Sequence, residues 1–430
     1  MDFEGRELMR LLIKGGRIID PANQRDEVAD LLVEEGKIVR LEKEIEVKDA
    51  QIIEAKGLIV APGLIDVHTH LREPGYEYKE TIATGTRAAA KGGFTTIFCM
   101  ANTNPVVDNR AVVEFILKKA KEEGVVNLFP VGALSKNLEG KELAEVGEMK
   151  KAGIIALSDD GNCIENAYFL RRGMEYAKMF DLPVISHCED KTLAEGGVMN
   201  EGYSSTLLGL KGIPSQAETI IIFRDISLSE LSGCQLHIAH LSSAESVELV
   251  RQAKKKGKKI SCEVTPHHFT LTDSALKDYD TNLKVNPPLR TKEDLKAILE
   301  GLKDGTIDLI ASDHAPHALE EKEVEFDYAP FGMIGLETTL GLIISKLVNN
   351  KILSISEALA KLTSNPARIF GLNKGSLSIG ADADITIIDK DWEWIVAREK
   401  FASKSKNSPF GGWKLKGKAV KTIVGGEVVL

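Results

Sequence analysis

The chain has 430 residues, 43% of them apolar and 28% charged, enough for a large core and outside the range of intrinsic disorder. A net charge of −9, from 55 basic and 64 acidic side chains, gives no electrostatic reason to expect nucleic acid or an anionic membrane as partner. No segment reads as a secretory leader, and no apolar run approaches the roughly 20 residues that span a bilayer.

At the N-terminal end, Leu11–Asp20, Asp30–Leu41 and Gln51–Val60 predict short strands with glycine turns and no helix between them. The pattern then changes. Apolar, strand-like runs recur at Leu64–His70, Phe94–Cys99, Asn127–Val131, Ile154–Ser158, Pro183–His187, Gln235–His240, Lys259–Val264 and Asp308–Ser312. Segments with helical spacing separate them, among them Tyr78–Lys91, Ala111–Glu123, Asn166–Phe180, Ala244–Lys256 and Lys292–Lys303. Eight strands alternating with helices predict a closed parallel (β/α)8 TIM-type barrel, with an open doubly wound sheet as the competing arrangement. After a helix near Ser356–Leu362, strand-like runs return at Ala383–Ile388 and Val420–Leu430. Neither end can bury both faces of its strands alone. The simplest solution packs residues 1–60 and 371–430 together as one small β-sandwich beside a barrel formed by 61–370.

The five cysteines (99, 163, 188, 234 and 262) are odd in number and include no CxxC pair, so they read as buried free thiols in a reducing, cytoplasmic setting. All nine histidines fall between positions 68 and 317, within the barrel. His68 and His70 close the first strand, and residues i and i+2 of a strand share a face, so both imidazoles aim into the barrel mouth. His187 ends the fifth strand and His240 the sixth; Asp313 follows the eighth, in SDHAPH. Each alone would be an ordinary core histidine or helix cap. Their arrival together at the catalytic face of one barrel points instead to a metal site. His237, three positions before His240, is expected on the opposite face of its strand and is assigned to packing. His267 and His268 fall on a mouth loop. Imidazole with carboxylate and no thiolate suits zinc best, with manganese or cobalt tolerated. One ion is accounted for by the histidines and Asp313, and either Asp159 or Asp160 after strand four could bridge a second. Bound metal would make water nucleophilic near neutral pH, and Asp313 would pass its proton to a leaving nitrogen, which is amide hydrolysis.

The segments LIVAPGLIDVHTHLREPG, GGFTTIFCMANTNP, SDDG, SHCED, HIAHLSS, CEVTPHH, NPPLR, ASDHAPH and SNPARIFGL resemble, in order and over nearly the whole chain, the class I dihydroorotases of the amidohydrolase superfamily. The resemblance implies reversible hydrolysis of dihydroorotate to N-carbamoyl-aspartate, a step of pyrimidine synthesis, with two zinc ions per subunit. It places one zinc on His68, His70 and Asp313 and the other on His187 and His240, with Asp160 bridging. It assigns substrate contacts to His70, Arg72, Asn102, Asn286, His317 and the backbone of Phe331 and Gly332. Arg72 would clamp the substrate carboxylate. The related hydantoinases and allantoinases carry a carbamylated lysine at strand four, and residues 154–161 here contain no lysine. Ala101 departs from the proline that the family usually has, which is expected to loosen the loop holding Asn102. The competing readings are another cyclic amidase and a non-catalytic structural partner of aspartate transcarbamoylase. A transcarbamoylase complex and a homo-oligomer are the macromolecular partners left open.

Overall fold

The computed structural model describes residues 10–430; the first nine residues of the expected N-terminal unit lie outside the described residues. The chain ends form one eight-stranded sheet. Arg10–Asp20 pairs with Arg25–Glu34, Gln51–Glu54 and Ile59–Pro62, and Lys37–Glu42 extends the far side. Ile59–Pro62 pairs antiparallel with Ile385–Ile395, in the register Val60 to Ile387, and Lys414–Val424 and Glu427–Val428 follow. The expected sandwich is thus a single hydrogen-bonded sheet curled round its own core. Leu11, Ile13, Ile18, Leu31, Val33, Val60, Ile385 and Ile387 fill that core. Ile19, Ile59, Ala61 and Ile388 belong instead to the main barrel core, so the alternation of the strands divides them between two interiors. The curl brings Gly36 against Gly425: a Cβ on Gly36 would stand 2.7 Å from the Gly425 carbonyl oxygen, and the backbone there has φ +75°.

The barrel strands run parallel in chain order: Leu64–Thr69, Phe94–Cys99, Asn127–Gly132, Ala156–Leu157, Val184–Ser186, Leu236–Ile238, Ile260–Val264 and Leu309–Ile310. All eight predicted strands are present, four of them two or three residues long. The helices between them start where the sequence supplies caps. Thr81, Asn109, Asn166, Ser243 and Thr291 each accept a backbone N–H of the following turn. Thr81 is the reason the first helix begins at Ile82 and not at Tyr78, as its spacing suggested. The seam between the first and eighth strands is not a regular ladder. Thr69 bridges to His314, the His70 N–H donates to the His314 carbonyl at 2.9 Å, and the Asp66 carboxylate accepts the Ser312 N–H at 3.1 Å. Among the described residues no helix is long and apolar enough to cross a membrane. All five cysteines are buried and unpaired.

Candidate metal centre

The ligand-type residues singled out in the sequence converge on one end of the barrel. His68 is the penultimate residue of the first strand and His70 follows it; His187 follows the fifth strand, and Asp160, His240 and Asp313 stand two or three residues beyond theirs. Three site residues hold left-handed backbone: Arg72 (φ 62°), His240 (φ 30°) and Asp313 (φ 46°). Such conformations cost on the order of 1–3 kcal/mol each and persist only where surrounding contacts impose them.

Two overlapping groups of donors form. His68, His70 and Asp160 make one, and Asp160, His187 and His240 the other, with the ligand atoms of each group all within 4.8 Å of one another. Asp160 Oδ1 lies 3.4 Å from His68 Nε2, 3.8 Å from His187 Nδ1 and 3.7 Å from His240 Nε2, and its Oδ2 lies 3.5 Å from His70 Nε2. Asp313 Oδ1 is 3.2 Å from His70 Nε2 and 3.6 Å from His68 Nε2, beside the first group. Spacing in the sequence left Asp159 and Asp160 open; the fold separates them. Asp159 turns away and accepts the backbone N–H groups of Leu134 and Ser135 at 2.8 and 3.0 Å.

Burial alone would raise both acids. The imidazoles around them outweigh it, His68 above all, and hold Asp160 and Asp313 well below the usual carboxylate range. Two buried carboxylates are therefore anionic at neutral pH beside four imidazoles. His68 Nε2 and Asp160 Oδ1 are also buried without a hydrogen-bond partner. Orphaned buried donors and acceptors are costly, and oxygen and nitrogen ligands at this spacing suit a divalent cation. The residues present fit a metal, and two positions sharing Asp160.

Behind these residues runs a polar relay that the sequence reading missed. His68 Nδ1 lies 2.6 Å from Glu263 Oε1, Glu263 Oε2 lies 3.1 Å from His237 Nε2, and His237 Nδ1 lies 2.8 Å from Ser261 Oγ. Burial would raise Glu263, but His68 and His237 bring its carboxyl down to about 2. This pairing turns His68 so that Nε2 faces the donor cluster. His237 therefore does more than pack, although its ring also meets Phe370 at 5.2 Å. The expectation of opposite faces for His237 and His240 fails because the strand stops at Ile238 and His240 turns back at φ 30°. The one prior signal of Glu263 was a lone acid in the apolar run ISCEV.

A cavity of about 230 Å³ opens onto the cluster, lined by His70, Arg72, Asn102, Asn286, His317, Phe331 and Gly332 together with Asp160, His187, His240 and Asp313. Asn102 Oδ1 lies 2.9 Å from His70 Nδ1. The buried Ala101 carbonyl accepts the N–H groups of Thr103 and Val107 at 2.9 and 3.1 Å, in the turn that carries Asn102. The Asn286 amide donates to Glu189 Oε1 at 2.9 Å. Arg72 is half-buried, donates through Nε to the Pro316 carbonyl at 3.1 Å and lies 3.5 Å from His317 Nε2; among the described residues no carboxylate closes an ion pair with it. Burial and the neighbouring Arg72 push His317 down to about 2, so its ring is neutral, and it lies 2.8 Å from the Phe331 carbonyl. His267 and His268 are buried and do not line the cavity; His268 Nε2 lies 3.0 Å from the Pro287 carbonyl and braces the loop that carries Asn286.

Comparison with known proteins agrees with this geometry. The family model described as "Dihydro-orotase-like" matches residues 57–246, and that described as "Amidohydrolase family" matches 347–430. The dihydroorotase of Acetivibrio thermocellus is 55% identical over 420 residues, covering 98% of this chain and 99% of its own. That of Endomicrobium trichonymphae is 58% identical over 422 residues, with coverage of 98% and 99%. Among solved structures, the L-hydantoinase (dihydropyrimidinase) of Arthrobacter aurescens superposes with a TM-score of 0.87 at 27% identity, covering 98% of this chain and 96% of that one. Relatives of this identity and coverage, with the barrel and its paired donor groups, establish that the chain belongs to the dihydroorotase family of the amidohydrolases.

Proposed function

We propose that this chain is a dihydroorotase, opening the ring of (S)-dihydroorotate with water to N-carbamoyl-L-aspartate and closing it again. The observation that carries the substrate is Arg72, a half-buried guanidinium without an acid partner that lines the same cavity as the donor cluster. An unpaired cation facing the cavity is complementary to a substrate carboxylate, which hydantoin and dihydrouracil lack.

His68, His70 and Asp313 would hold one cation and His187 and His240 a second, with Asp160 between them; zinc is the ion this donor set favours. Such cations, when bound, lower the pKa of a water and polarise the ring amide carbonyl. The protein's own groups supply the rest. Arg72, Asn102 and Asn286 fix the acid and the ring edge, and the backbone of Phe331 and Gly332 borders the cavity on the side of His317. Asp313 is anionic at rest, so its carboxylate takes the proton of the attacking water and delivers it to the ring nitrogen as the C–N bond breaks. Ring closure runs the same transfer backwards. The buried, unpaired cysteines support a reducing, cytoplasmic setting.

The test offers purified protein dihydroorotate, hydantoin, dihydrouracil and allantoin, before and after chelation and after zinc is restored. Zinc-dependent opening of dihydroorotate alone is expected. Preference for an uncharged cyclic amide would transfer the protein to the hydantoinase reading, and full activity after chelation would remove the cations.

A further inference from the structure

The segment from Phe401 to Phe410 belongs to the C-terminal end of the chain, yet it runs along the rim of the barrel mouth. Glu337 accepts the N–H groups of Ala402 and Ser403 at 2.7 and 3.1 Å. Glu80 accepts the Lys404 N–H at 3.0 Å and the Ser403 hydroxyl, and the Ser405 hydroxyl donates to the Lys79 carbonyl at 2.7 Å. These contacts deliver Asn407 between two loops of the cavity.

Asn407 is 4% exposed, and its side-chain amide is fully used. Its Nδ2 donates to the Ala315 carbonyl at 3.0 Å and the Gly332 carbonyl at 3.2 Å, and its Oδ1 accepts the His317 N–H at 3.2 Å. Its backbone carbonyl accepts the Ile334 N–H at 3.0 Å. The loops so joined are the Ala315–His317 turn and the Phe331–Gly332 turn, both of which line the cavity. They sit in close contact: Gly332 has φ +128°, and a Cβ there would stand 2.8 Å from the Ala315 Cβ.

We propose that Asn407 is a positioning residue for substrate binding, holding His317 and the Phe331–Gly332 backbone at the separation that the substrate requires. It does not itself line the cavity or touch the donor cluster, so it acts through the two loops. Removing its amide leaves two buried carbonyls and one buried N–H unpartnered, and the loops separate to reach water. Displacement of a binding group by about 1 Å can change turnover on a substrate on the order of a hundredfold. Of the proposed cation ligands only Asp313 shares a loop with Ala315 and His317; His68, His70, Asp160, His187 and His240 stand at the ends of other strands, so cation occupancy is expected to be kept. The substrate named here rests on the function proposed above.

The test uses the full-length, zinc-loaded protein. Asn407→Ala is expected to raise the KM for dihydroorotate about 10- to 100-fold, with kcat within about threefold and zinc per subunit unchanged. Asn407→Asp keeps the volume and the acceptor for His317 but cannot donate to Ala315 and Gly332, so it reproduces the KM defect and carries the test if the alanine variant does not fold. A KM within about twofold of the parent in a folded variant overturns the proposal. So does a loss of zinc and kcat at constant KM, which marks a merely structural residue. If the parent opens a different cyclic amide and not dihydroorotate, the substrate reading fails, and the same KM comparison on that amide decides the role of Asn407.

Discussion

The barrel has two interiors of opposite character. Below the mouth, Ile65, Val67, Phe98, Val131, Ala156, Ile185, Leu309 and Phe370 form an apolar plug in which Phe98 meets Phe370 edge-on at 5.0 Å. One layer above, the same strands end in imidazoles, carboxylates and a guanidinium, with orphaned polar atoms and left-handed backbone at three positions. The plug is satisfied as it stands. The mouth carries costs that a bound cation and an acidic ligand would offset. Stability and chemistry are thus layered along one axis, and substitutions should separate them.

The largest effect falls at the mouth. Asp313→Asn should lower kcat by about 10³-fold or more, as expected for losing a general acid–base, while the melting temperature stays close to that of the parent; near-parental kcat would remove Asp313 from proton transfer. Phe98→Ala is the converse, costing about 3–5 kcal/mol of stability by denaturant titration with KM unchanged in the folded fraction. A large KM change there would show that the two layers are not separable. Arg72→Ala should raise the KM for dihydroorotate about 30-fold, the worth of a charge-assisted hydrogen bond, and leave zinc per subunit unchanged. Glu263→Gln lies between the layers. It should weaken zinc binding about tenfold in a chelator competition, since Glu263 orients His68 without reaching the cavity; unchanged affinity would make the relay a packing device.

Much of this was legible before the fold was known. The shared face of His68 and His70 follows from strand alternation, and the eight apolar runs with their intervening helices favour the barrel over an open doubly wound sheet, because both signals are local. Asp160 was not separable from Asp159, since strand four is only two residues long and alternation says nothing about the turn that follows. His237 was misplaced for the same reason at strand six, where regular backbone ends before the residue that matters. Glu263 and Asn407 depend on contacts with residues 195 and 92 positions away, His68 and Ala315 respectively, and no periodicity reports such distances.

The terminal sheet has a consequence for biosynthesis. Ile59–Pro62 is completed early, but its partner Ile385–Ile395 leaves the ribosome more than 300 residues later. At the usual 5–20 residues per second that is about 15–60 s during which one edge of a hydrophobic strand waits without its neighbour. Open edges of this kind recruit foreign strands. A nascent chain stalled inside the barrel is therefore the form most exposed to aggregation, and the form with the greatest need of chaperone cover.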